Sequence, residues 1–110
     1  MAYDEDLAGR VRDVLADEES VTEKAMFGGL AFLLHGNMSV GLVGDDLMVR
    51  VGPDGADAAL AEPHARVSKM GDRVMRGWIL VAPEGLATRP DLAAWVRRGV
   101  ELARSLPAKD

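Results

Sequence analysis

The sequence predicts an α+β domain, a two-layer sandwich in which an antiparallel β-sheet carries an N-terminal and a C-terminal helix on one face. Three observations predict it. Between Met26 and Val51, short apolar runs are separated by His35-Gly36-Asn37 and Gly44-Asp45-Asp46. Gly, Asn and Asp tolerate the positive φ angles that tight hairpin turns need, so this stretch reads as a β-meander. On either side of it, Leu7 to Leu15 and Leu92 to Leu106 carry apolar residues at helical spacing.

Composition bounds the rest. At 110 residues the chain makes one domain, 1–110, which buries roughly two-thirds of its unfolded surface. A hydrophobic fraction of 48% and a charged fraction of 28% are those of an ordinary globular protein. No apolar run reaches the roughly 20 residues that span a bilayer. The opening Met-Ala-Tyr-Asp-Glu-Asp is acidic where a signal peptide is basic and then apolar. Without cysteine there is no disulfide framework and no thiolate metal site, which suits a reducing cytosol. A cytoplasmic location with no membrane partner is expected.

The net charge of −5 argues about partners. A domain that binds duplex DNA alone needs a clustered basic face. Here thirteen cations are spread along the chain, and Arg97-Arg98 is their tightest pair. Nucleic-acid binding by this chain alone is therefore not expected. Ten of those cations are Arg, and with the abundance of Ala, Gly and Val this resembles the codon bias of a high-GC bacterial genome.

In chain order, Leu7, Val11, Val14 and Leu15 form one stripe of a helix from Asp4 to about Asp17, with Asp4, Glu5 and Asp6 at its positive dipole end. Ser20-x-x-Glu23 matches a capping box, but the residues after it are Gly-rich and β-like, so Thr22 to Phe27 reads as a strand. The Gly28-Gly29 pair marks a bend or a close backbone approach. Within the meander, Leu30, Phe32 and Leu34 share one face; Met38, Val40 and Leu42 share one; so do Leu47, Val49 and Val51. The opposite face keeps Leu33, Val43 and Met48, an apolar excess that predicts cover by a loop or by another subunit. Gly52-Pro53-Asp54-Gly55 stops the third strand, and Ala56 to Ala61 is a short helical segment ended by Glu62-Pro63. Val67 to Met70 reads as a brief strand and Val74 to Ala82 as the next. Thr88-x-x-Asp91 then caps a second firm helix, with Pro90 in its first turn and Leu92, Trp95, Val96, Gly99, Leu102, Ala103 and Leu106 as its stripe.

No constellation of residues spells a reaction. His35 falls in a hairpin turn and His64 in a loop, without metal-site spacing. Asp45-Asp46 reads as turn chemistry. The glycines match neither a P-loop nor a dinucleotide fingerprint, and no nucleophile elbow is present. No catalytic residue, metal ligand or cofactor is expected. Lys24, Arg50 and Arg76 are cations inside predicted strands; on an open sheet face they would offer an acid-binding spot to a partner protein.

At Met26-Phe27-Gly28-Gly29-Leu30, Phe32, Gly36-Asn37-Met38, Leu47, Arg50-Val51-Gly52, Gly77-Trp78 and Pro83-Glu84, the chain resembles the TfoX/Sxy N-terminal domain family, over about residues 7 to 104. The resemblance implies a two-layer α+β domain similar to secretion chaperones. It implies a relation to regulators of natural competence, whose longer members act with the cyclic-AMP receptor protein at promoters and carry a second, helical domain. These 110 residues hold no counterpart of that domain, which sets the expectation against direct promoter action. The family lends no catalytic residues, so Met26, Phe27, Gly28 and Gly29 are expected to be structural. The leading expectation is a non-enzymatic protein-interaction domain, regulatory and homodimeric, with a protein partner such as the transcription machinery. Direct DNA binding through Arg97, Arg98 and Arg104, and a small-ligand or enzymatic site near His35, His64 or Arg50, are the alternatives.

Overall fold

The computed structural model describes residues 3–26 and 28–108, with the backbone alone at Met70. Helix α1 (Glu5–Val14) continues into a 3₁₀ turn at Leu15–Asp17. The strands follow as β1 (Val21–Met26), β2 (Gly29–Leu34), β3 (Asn37–Val43) and β4 (Asp46–Arg50). After a short α2 (Ala56–Leu60) come β5 (Ala65–Met70), β6 (Arg73–Val81) and the long α3 (Arg89–Arg104).

The expected meander is present and extends to six strands, ordered β1-β2-β3-β4-β6-β5 and antiparallel throughout. Its turns obey the residues that make them. Leu34 pairs with Asn37 across His35-Gly36, where both φ angles are positive, at 50° and 81°. That is the condition for the primed turn that matches strand twist. Asn37 and Asp46 are thus the first residues of β3 and β4 rather than turn residues. Ser20-x-x-Glu23 leads into β1, so the strand reading holds there.

The helices start where the side chains dictate. The Asp4 carboxylate accepts from the Asp6 and Leu7 amides at 2.9 and 3.2 Å, and the Thr88 hydroxyl accepts from the Asp91 amide. Each cap satisfies N–H groups that the first turn leaves unpaired. Leu7, Ala8, Val11 and Leu15 from the N-terminal helix, and Leu92, Trp95, Val96, Val100 and Ala103 from α3, are buried against one sheet face. That face supplies Leu30, Phe32, Leu34, Val40, Leu42, Leu47, Val49, Ile79 and Val81. Ala59 of α2 joins the same core. Ion pairs Arg12–Glu23 (2.7 Å), Arg89–Asp13 (2.8 Å) and Arg104–Glu18 (2.5 Å) tie the N-terminal segment to β1 and α3.

One expectation is corrected. Phe32 pairs with Val40 but Leu33 pairs with Met38, so β3 carries a bulge at Ser39. The extra residue turns Met38 out of the row of Val40 and Leu42 and onto Leu33's face. The Ser39 hydroxyl, fully buried, donates to the Phe32 carbonyl at 3.0 Å and satisfies the spot where the ladder breaks.

Candidate functional site

With all three helices on one face, strand pairing fixes what the other face presents. Lys24, Ala31, Gly41, Met48, Leu80 and Arg66 are successive register partners from β1 to β5. They form a row with an apolar centre and a cation at each end. Beside it lie Leu33 paired with Met38, and Arg50 paired with Trp78. On the other side lie Met26 paired with Gly29, and Val43 paired with Asp46. Ala31 and Met48 are buried yet stand outside the helix-side core; Leu33, Met38, Val43, Trp78 and Leu80 are half-buried.

The electrostatics of this face are lopsided. Asp46 is its one carboxylate among the described residues, and Arg66 holds it at 2.5 Å. Lys24 and Arg50 have no carboxylate partner among the described residues. The Arg50 guanidinium lies 5.4 Å from the Trp78 ring centroid and makes a long hydrogen bond, 3.5 Å, to the Met38 carbonyl. A guanidinium held over an aromatic ring keeps its outward N–H groups free for an anion.

Of the three strand cations singled out in the sequence, Lys24 and Arg50 share this face, and Arg76 does not. Four residues of β6, Met75 to Trp78, stand opposite Ser68 alone. Gly77, at φ 84°, lies in that unmatched stretch, and Arg76 lines a groove with Pro53 and Leu60 that meets the face only at Trp78. Of the family motif, Gly28 sits at φ 72°, and a Cβ on Gly29 would overlap the Leu42 carbonyl. Both glycines are thus needed by backbone geometry. Met26 ends β1 on the uncovered face, and Phe27 lies outside the described residues.

Other candidates are scattered. His35 and His64 are exposed turn residues with positive φ. His64 borders an open depression with Glu84 and Asp91, and His35 takes no part in its walls. A concavity of about 420 Å³ between α3 and the α2 region is lined by Val51, Ala58, Arg98, Glu101 and Leu102, and neither histidine nor Arg50 is in its walls. The arginines of α3 are largely engaged: Arg104 with Glu18, and Arg98 stacked 4.7 Å from the Trp95 centroid and 3.9 Å from Glu62. The Glu23 carboxyl is held below the usual carboxylate range by its hydrogen bonds from Arg12, on the helix side of the sheet. No helix among the described residues is long and apolar enough to cross a membrane.

The face was legible in part. Alternation exposes Leu33, Val43 and Met48, but the contribution of Met38 depends on the Ser39 bulge, and that of Trp78 and Leu80 on β6 lying beside β4. A family model described as the TfoX N-terminal domain matches residues 13–103. No curated protein and no solved structure matches the chain.

Proposed function

The chain belongs to the TfoX N-terminal domain family, and from that premise we propose that it is a non-enzymatic regulatory domain of the competence type, binding a partner protein through its uncovered sheet face. The row from Lys24 through Met48 and Leu80 to Arg66, with Arg50 beside it, carries this reading. Apolar side chains supply desolvation energy, and the unpaired Lys24 and Arg50 select a complementary charge. The partner is thus a protein whose apolar surface is edged by carboxylates, and the setting is the reducing cytosol.

A second copy is the alternative occupant. The face offers it apolar area, but the one carboxylate among its described residues is already held by Arg66 and leaves none there to answer Lys24 and Arg50. Direct DNA binding is less favoured, because carboxylates occupy two of the three arginines it would use on α3.

Crosslinking and affinity purification from the native host test the reading, with Leu33→Glu and Arg50→Glu as paired references. The expected result is one partner whose crosslinks run from this face to an acidic, apolar patch, lost in both variants while their melting curves match the parent's. A partner retained by both variants overturns it. A sedimenting dimer that Leu33→Glu dissociates would assign the face to a second copy instead, and low-salt retention of duplex DNA lost in Arg50→Glu would assign it to nucleic acid.

A further inference from the structure

The two large apolar side chains most exposed among the described residues are both on the β5–β6 hairpin: Val67 at 38% and Val74 at 47%. They are not scattered surface residues. Both line one groove of about 160 Å³, which runs between that hairpin and the Pro53–Leu60 segment and is shared with Leu60, Asp57 and Arg76. Gly77, at positive φ, lies in the unmatched stretch Met75–Trp78, all four residues of which line the groove, and beyond that stretch Val74 and Arg73 pair again with Lys69 and Met70. Helix α2, only five residues long, supplies Ala56, Asp57 and Leu60 to the groove.

Charge is concentrated on the same hairpin, though of its cations only Arg76 lines the groove. In a chain of net charge −5, the hairpin carries Arg66, Lys69, Arg73 and Arg76 against a single Asp72. Arg66 is committed to Asp46; Lys69, Arg73 and Arg76 have no carboxylate partner among the described residues. Lys69 pairs in register with Val74, which sets a cation beside the exposed valine. Asp57 is the one carboxylate on the groove wall.

We propose that this groove is a second docking site, taking an acidic peptide segment that seats an aliphatic side chain between Leu60, Val67 and Val74 and lays its carboxylates on Lys69 and Arg76. Exposed valines gain by burial, and Arg76 on the wall with Lys69 beside Val74 outweighs Asp57 and selects negative charge. A second copy of this chain is disfavoured, since the hairpins would set like charges together across a two-fold axis. The groove shares only Trp78 with the uncovered sheet face, and a peptide seated in it would not need that face's proposed function.

Selection of short random peptides on the whole chain tests the proposal, with Val74→Asp and Arg76→Glu as counter-targets. Both positions are exposed, and unchanged melting curves verify that the variants fold. The expected result is enrichment of sequences with Asp or Glu flanking Leu, Ile or Val. The synthesised winners should bind the parent and lose at least about tenfold in affinity on each variant, with binding weakened by salt. Absence of enrichment, enrichment of neutral or basic sequences, or equal affinity for parent and variants would overturn it. So would duplex DNA retained by the parent and lost in Arg76→Glu, or a dimer that Val74→Asp dissociates.

Discussion

Gly99 of α3 lies directly against the Ser39 carbonyl, so closely that a Cβ at position 99 would overlap that oxygen and crowd Val40. The helix crosses the sheet at the bulge, and the missing side chain is what lets the two backbones meet. Gly99→Ala is expected to destabilise by about 1–3 kcal/mol, because the obstacle is backbone and cannot swing aside. Gly9, in the middle of α1, is the control: a Cβ there would have nothing within 4 Å. Gly9→Ala is expected to stabilise by about 0.5–1 kcal/mol through helix propensity. Urea midpoints of the two variants should therefore move in opposite directions.

Gly77 is constrained twice. It sits at φ 84°, and a Cβ there would come within 2.9 Å of the Gly52 carbonyl carbon. Its own carbonyl accepts from the Val51 and Gly52 amides at 2.8 and 3.0 Å, so the kink also ends β4. Gly77→Ala combines left-handed strain with backbone overlap and is expected to cost at least about 2 kcal/mol. Gly71, at φ 63° in open space, isolates the strain alone; Gly71→Ala should cost about 1 kcal/mol. Thermal unfolding of the two variants reads the difference.

These two contacts mark the boundary of what the residues reveal in order. The helices and strands follow local periodicity, and the hairpin turns follow residues such as Gly36 and Gly44 that accept positive φ. Bulges are different. That at Ser39 lies against Gly99, sixty residues away, and has no local signature; that at Gly77 lies against Gly52, and a glycine inside the strand run is its one local sign. Strict alternation therefore misplaced Met38, and it gave no sign that Arg76 leaves the face of Arg50. The uncovered face was half legible for the same reason: side-chain alternation is local, but strand order is not. Val100 is buried although the stripe read on α3 omits it, because the N-terminal helix packs beside α3 and widens its covered face.

The Arg12–Glu23 pair gives a pH signature of known sign. Two hydrogen bonds from Arg12, at 2.7 and 2.8 Å, lower the Glu23 carboxyl below its ordinary value. A lowered native value means the unfolded chain binds the proton first, so the stabilisation is complete above the ordinary carboxylate range and fades as pH falls through the native value. The pair is substantially exposed, so solvent screening limits its contribution to under about 1 kcal/mol. Glu23→Gln should therefore lower stability slightly at neutral pH, and the gap from the parent should close in acid and in high salt. Denaturant titrations of both proteins across that range measure it.

Asn37 is more than a turn residue. It is buried at the start of β3, and its side-chain amide donates to the Pro107 carbonyl at 2.8 Å, clasping the segment after α3 to the β2–β3 hairpin. Pro107 is exposed and its carbonyl can turn to water once the donor is gone, so Asn37→Ala is expected to cost about 0.5–1.5 kcal/mol. Asn37→Asp is the sharper test. An ionised carboxylate there faces a carbonyl oxygen at short range in a buried site, which raises its native pKa. The unfolded chain then loses its proton first, so the penalty is full at neutral pH and shrinks as pH falls through the native value. Once protonated, the acid has an O–H that can donate to the Pro107 carbonyl as the amide did. The stability gap between Asn37→Asp and the parent should therefore narrow on acidification, while the gap for Asn37→Ala stays constant. Parallel unfolding curves that keep both gaps fixed with pH would show that the clasp does not hold in solution.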